Sequence, residues 1–294
     1  MHHVTHVRRG RLPTVVLVGP PLALYLVFGV LPIGIAAYFS LTNWDGIDRT
    51  IKFVGLNNYT KLIGDPEVHE AFLVTVAIAI SATFVLNLVA VPLAALLSRQ
   101  DFVTKVYRTG VFLPLVLSPI VVGFLWQSVL NTNGLVNGIL TSLGMSRIIF
   151  LGEPLPAIAS IGFVTVWQSL GFTTILYLAA LRSIPDELYE AATIDGAGPT
   201  ARFRYVTVPL LAPAVTVNVV LLMILFMRLY EYVLVMTQGG PVGSTQSVAY
   251  LLVTNAFERS KYGYGSAIAI VMLLFVSVIS VALVAGLRRR ERYL

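Results

Sequence analysis

Apolar residues in this chain gather in long runs rather than at alternating or amphipathic spacing. Six such runs, at about residues 12–40, 71–97, 111–130, 155–181, 214–236 and 265–287, are separated by polar stretches. Each is near or above the roughly 20 residues that a helix needs to cross about 30 Å of hydrocarbon. The pattern predicts an all-α membrane protein with six transmembrane helices. The first run follows a short tail at 1–11 carrying Arg8, Arg9 and Arg11, as a signal peptide would. A signal peptide's apolar region is only about 7–15 residues, so this longer run reads as a retained helix, bent by Pro20, Pro21 and Pro32. Gly134 and Gly138 have GxxxG spacing but lie among Asn131, Asn133 and Asn137, which reads as a short interfacial helix between spans three and four.

Composition agrees with this reading and charge adds orientation. The chain of 294 residues is 57% hydrophobic and 12% charged, with mean hydropathy +0.84. A net charge of +6 could indicate a nucleic-acid partner, but the basic residues follow the apolar runs instead of forming one face. Arg8, Arg9, Arg11, Arg99, Lys105, Arg108, Arg182, Arg202, Arg204, Arg288, Arg289, Arg290 and Arg292 fall on one side. Arg49, Lys52, Lys61, Arg147, Arg259 and Lys261 fall on the other. Thirteen against six puts both termini in the cytoplasm and the segment 41–70 outside. There is no cysteine, which excludes disulfides and thiolate metal sites; His2, His3, His6 and His69 are too scattered to suggest a metal site.

The most informative polar stretch is 182–213, which the charge bias places in the cytoplasm. Ser183 followed by Asp186 suggests a capping box, and Pro185 suits a first helical turn. Asp186, Glu187 and Glu190 fall early, where the helix dipole favours acids. Leu188, Ala191, Ala192 and Asp195 recur at three- and four-residue spacing, and the two alanines leave a thin face for a partner. Gly196-Ala197-Gly198 can end this helix and Pro199 can open a shorter one through Tyr205. Glu190-Ala191-Ala192, then Gly196, then Val206-Thr207-Val208-Pro209 resembles the EAA loop of bacterial ABC importer permeases. Val206 and Val208 stand where Ile and Leu are usual. Ile184-Pro185-Asp186-Glu187-Leu188-Tyr189, Phe53-Val54-Gly55-Leu56-Asn57-Asn58-Tyr59, Tyr232 through Pro241, and Phe257 through Gly265 resemble the carbohydrate-uptake branch, of maltose and glycerol-phosphate permease type.

The resemblance implies a type I ABC importer permease fold, with residues 71–287 as the shared transmembrane domain and a cytoplasmic coupling helix. Glu190, Ala191, Ala192, Asp195, Gly196 and Gly198 would then couple to a separate ABC ATPase dimer. ATP and magnesium would sit on that partner, with no cofactor bound by this chain. A second homologous permease subunit, an extracytoplasmic solute-binding protein, a carbohydrate substrate and the bacterial plasma membrane complete the implied assembly.

For the substrate path, Arg228 and Glu231 lie inside the fifth run, three residues apart, so one continuous helix would place them on one face. They read either as lining the path, with Tyr230 beside them, or as a structural ion pair. Trp126-Gln127 and Trp167-Gln168 each join an aromatic plate to an amide, which suits a sugar ring. Yet Trp near a span end is more often an interfacial anchor, and membrane amides often bridge helices. The span-five stretch where relatives use Asn and Ser holds Leu221, Leu222, Ile224, Leu225 and Phe226, so those contacts are not carried over. No GxxxxGK[ST], GxSxG, HExxH or CxxC occurs, which argues against catalysis. The rival reading is an ion-gradient-driven secondary transporter or channel, for which Glu231 is the one intramembrane acid.

Overall fold

The computed structural model describes residues 11–98 and 101–291. Among these, helices account for all regular structure except one antiparallel bridge between Thr42 and Phe53. Four helical stretches are long and apolar enough to cross a membrane: Val16–Ser40, Pro66–Leu96, Pro154–Leu181 and Tyr262–Arg289. Two bent pairs raise the number to six if each counts as one span.

The first span joins α1 (Arg11–Tyr25) to α2 (Leu31–Ser40) through a π turn at Leu26–Val30, next to Pro32. No residue of its most apolar window is buried. Its C-terminal end is tied down: Asn58, in α3 (Asn57–Ile63), donates its amide to the carbonyls of Ser40 and Thr42, both at 2.8 Å. The second span, α4 (Pro66–Leu96), starts where Asp65 caps the amide of Glu67 at 3.0 Å and Pro66 supplies the first turn. Its buried face is largely small, with Ala71, Thr75, Ala79, Ala82, Ala90 and Ala94. Small side chains let α4 approach its neighbours closely, the usual basis of helix packing in lipid.

The third run, expected to form one span over 111–130, is broken. Helix α5 (Phe102–Val116) starts at an Asp101 cap on the amide of Thr104, 2.7 Å away, and gives way at Leu117 and Ser118. Pro119 drives Ser118 into the extended conformation observed (ψ 138), so the chain must turn before α6 (Pro119–Leu130) begins. The bend between Phe102–Val116 and Pro119–Ser142 is 101°. A short helix α7 (Leu135–Ser142) follows, and Asn137 pins its loop by donating to the carbonyls of Asn131 and Ile148.

The fourth span, α8 (Pro154–Leu181), is continuous and packs on both α4 and α5. After α9 (Asp186–Ile194) and α10 (Pro199–Arg202), helical structure continues through a π turn at Phe203–Thr207 and α11 (Val208–Leu210). The second helix of the polar loop therefore runs past Tyr205, where it was expected to stop. A 63° bend leads into α12 (Ala212–Met227). Expected to be continuous over 214–236, this span stops at Arg228 and is irregular at Leu229 and Tyr230 before a helical turn ending at Thr237. No Pro or Gly causes the break. Ser247 stabilises it from outside by donating to the carbonyl of Leu229. Helix α13 (Val248–Val253) and a π turn lead to α14 (Tyr262–Glu291), which packs against α2 and α12.

Candidate functional site

Both broken spans face the unbroken α8, and a cleft of about 520 Å³ opens between them. Leu115, Leu117 and Pro119 form one wall, Thr165, Gln168 and Ser169 the back, and Arg228, Glu231 and Tyr232 the other wall. Gln168 is buried, and its amide nitrogen donates to the carbonyl of Leu117 at 2.7 Å, at the first break. Its amide oxygen accepts from the Tyr232 hydroxyl, just past the second break. One side chain on the continuous helix thus holds both discontinuities. The cleft combines an exposed guanidinium, a half-buried carboxylate, hydroxyls and the Phe172 ring, donors and acceptors that suit a polyhydroxylated solute.

Three of the residues singled out for the path therefore come together: Arg228, Glu231 and Gln168. Arg228 and Glu231 do not share a helix face, because the helix ends at Met227 and Arg228 has φ −99, ψ 21. Nor do they form an ion pair within 4.0 Å among the described residues. The structural-pair reading fails for the same reason. Trp126 and Trp167 sit elsewhere, edge-on to each other with ring centroids 5.4 Å apart, and Trp126 also meets Phe163 at 5.0 Å. They pack against buried residues such as Val122, Val164 and Met236 instead of lining the cleft. Gln127 is half-buried and does not line it either, and Tyr230 stacks on Tyr250 at 6.3 Å. Asn87 bridges helices by accepting from the Tyr177 hydroxyl. Leu117 and Tyr232 are the participants that inspection of polar residues missed. The Ser118-Pro119 dipeptide was the available signal for the first break.

The polar loop forms a second surface. Helix α9 does not begin with a capping box: its N-cap is Pro185 (ψ 136), and Ser183 instead donates to the carbonyl of Ala180, finishing α8. Proline lacks a side-chain acceptor, but Asp186 and Glu187 still face the positive end of the helix. At the other end Gly196 takes φ +77 and the amide of Ala197 returns to the carbonyl of Ala192 at 2.9 Å. That reversal satisfies the last carbonyls and is cheapest for glycine. Tyr189 and Thr207 hydroxyls meet at 3.1 Å, and Arg202 donates to Thr193 at 3.0 Å, so α9 is strapped to the helix that follows. Glu190, Ala191, Asp195, Gly196 and Gly198 are exposed, while Ala192 is half-buried on the inner side. Ile194 stands 88% exposed between Glu190 and Asp195, an apolar knob on an acidic face.

Residues 87–293 match the family described as "Binding-protein-dependent transport system inner membrane component". The chain belongs to this transport family. Among similar proteins, the trehalose/maltose transport system permease protein of Thermococcus litoralis is 36% identical over 266 residues, covering 90% of this chain and 89% of that one. The probable starch degradation products transport system permease protein of Thermoanaerobacterium thermosulfurigenes is 32% identical over 279 residues, covering 93% of each. The fold of this transport component is also found in a bacterial ABC transporter involved in the import of the acidic polysaccharide alginate. That match has a TM-score of 0.79 at 23% identity and covers 97% of this chain and 96% of the other. The chain is a multi-pass membrane protein with the type I ABC importer permease fold, and a transport subunit by family.

Proposed function

We propose that the chain is the membrane-spanning subunit of an ATP-driven importer for a sugar, polyol or sugar phosphate. The solute arrives on an extracytoplasmic binding protein and passes through the cleft between the broken spans. Arg228 and Glu231 contact its hydroxyls, and Gln168 holds the cleft walls. The names of the similar permeases, which specify starch degradation products and trehalose/maltose, support this substrate class. The location is a bacterial plasma membrane, and the charge bias supports an orientation with both termini in the cytoplasm. A second homologous permease completes the pore, and an ABC ATPase dimer supplies the energy, binding its own ATP and magnesium.

The observation that carries the reading is α9. A nine-residue helix between two spans presents Glu190, Ala191, Ile194 and Asp195 outward while Tyr189 and Thr193 strap its other side to the helical segment Pro199–Leu210 that leads into α12. Such a lever can be pushed from outside and can pass the displacement to α12. Two states of the bundle, biased by ATP and by the loaded binding protein, are all that alternating access requires. The test is sugar uptake by vesicles carrying the assembled complex. Glu190→Lys should abolish uptake and recovery of the ATPase while the subunit remains inserted. ATP-independent uptake driven by an ion gradient, in liposomes holding this chain alone, would sink the importer reading.

A further inference from the structure

A second cleft, of about 810 Å³, lies between α9 and the ends of the spans. Leu181, Ile184 and Phe203 give it apolar walls, and Arg182, Arg202 and Asp186 give it charge. The Arg182 side chain is exposed and has no hydrogen bond or ion pair among the described residues. Arg202 donates from Nη1 to Thr193 Oγ1, which leaves most of its five donors free. Neither arginine is within 4.0 Å of the Asp186 carboxylate. Two guanidiniums against one carboxylate leave the cleft with a positive charge to be met.

Its depth in the membrane says by what. Leu181 closes the span Pro154–Leu181, and Ala95, which also lines the cleft, lies one residue from the end of Pro66–Leu96. The cleft therefore sits where hydrocarbon gives way to headgroups, on the side rich in basic residues. A soluble anion would have no use for the apolar walls; a lipid uses both parts. We propose that this cleft binds the phosphodiester of an anionic phospholipid. Arg182 and Arg202 hold the phosphate oxygens, and the first methylenes of the acyl chains lie against Leu181, Ile184 and Phe203. Guanidinium forks suit phosphate oxygens, and basic pockets between membrane helices are a recurrent form of headgroup site. The bound lipid would fix the root of α9 to its leaflet, whatever solute the central cleft carries.

The full-length chain, purified in non-ionic detergent and titrated with phosphatidylglycerol, tests this by native mass spectrometry. The wild type should retain phosphatidylglycerol in preference to phosphatidylcholine. Arg182→Gln or Arg202→Gln should weaken retention about fivefold, and the two together about thirtyfold, at the usual contribution of a basic residue beside anionic lipid. Arg182→Lys with Arg202→Lys should keep most of it, and Arg49→Gln, on the opposite side, should change nothing. Equal retention by wild type and the double glutamine variant would overturn the proposal. So would equal retention of phosphatidylcholine. Displacement of the lipid by inorganic phosphate would overturn it in favour of a free-phosphate site. The last two comparisons need only wild-type protein, so they decide the matter even if the double glutamine variant does not fold.

Discussion

Replacing Gln168 by leucine would keep the side-chain volume roughly constant and remove both bonds of the clamp. The Leu117 carbonyl would lose its 2.7 Å donor, and the Tyr232 hydroxyl would lose its acceptor. A buried polar group left unpaired costs about 1–3 kcal/mol, whereas hydrogen bonds measured inside membrane proteins average about 0.6 kcal/mol. Both stranded groups border the cleft, so neither becomes fully dry, and the lower part of the range applies. A loss of about 2 kcal/mol follows for Gln168→Leu, and about 1 kcal/mol for Tyr232→Phe, which breaks one bond of the two. Because the variants share that bond, the double variant should lose about 2 kcal/mol rather than 3. Denaturant unfolding of the purified chain in mixed micelles would give all three values. Strict additivity would refute the clamp, as would a Gln168→Leu variant as stable as the wild type. Transport supplies the functional half. With both walls released, uptake by the Gln168→Leu complex should fall further than that of Tyr232→Phe, in the order of the stabilities.

Other expectations follow from backbone geometry and from charge. A Cβ on Gly171 would lie 2.7 Å from the carbonyl oxygen of Val111 and 3.1 Å from the Cα of Phe112, so Gly171→Ala must force α5 from α8. A destabilisation of about 1–3 kcal/mol should appear in the same unfolding assay, and a neutral variant would contradict the close crossing. Gly196 has open space around a Cβ but φ +77, so Gly196→Ala isolates the backbone cost at the end of α9, about 1 kcal/mol. Faster hydrogen exchange confined to α9 is the expected signature, and unchanged exchange would count against it. The amides of Asp48 and Ile47 donate to the Asp45 carboxylate at 2.8 and 2.9 Å and hold its pKa below the usual value. A depressed folded value means that this turn is stable above the ordinary carboxylate range and loosens as pH falls through the folded value. Exchange of the Asp48 amide, corrected for intrinsic rate, should lose protection on acidification; protection that rises instead would refute the assignment.

What the sequence disclosed divides along physical lines. Spans announce themselves because a bilayer demands length and apolarity, and α4, α8 and α14 fall within the second, fourth and sixth runs or extend them. Which face of a span is buried is another matter. On α4, Leu73, Phe84 and Leu88 are 71%, 67% and 63% exposed while Ala79, Ala82 and Ala90 are buried, because lipid rewards bulk that close helix packing forbids. Hydropathy ranks these residues in the wrong order for that purpose. The two breaks differ in legibility. Ser118-Pro119 carries a local steric rule that could have located the first. The second depends on a hydroxyl supplied by Ser247, eighteen residues downstream, and no local rule contains it. Trp126 and Trp167 do not line the cleft, because adjacency to an amide in sequence says nothing about direction on a helix: Gln168 turns to the cleft while Trp167 turns to Trp126. The polar loop was easier to read, since Gly196 and Pro199 act on the backbone wherever they stand.

The first span has a consequence for the order of synthesis. Its C-terminal end packs on the very start of the last: Phe39 meets the Tyr262 ring at 5.7 Å, and the amide of Gly263 donates to the carbonyl of Trp44 at 2.8 Å. About 220 residues separate Ser40 from Tyr262. At roughly 5–20 residues per second, the ribosome needs about 10–45 s to cover that distance. Throughout that interval the N-terminal helix must reside in lipid with its eventual neighbour not yet made. The stretch Val16–Ser40 holds no charged residue, and a helix of that kind is one that can wait there.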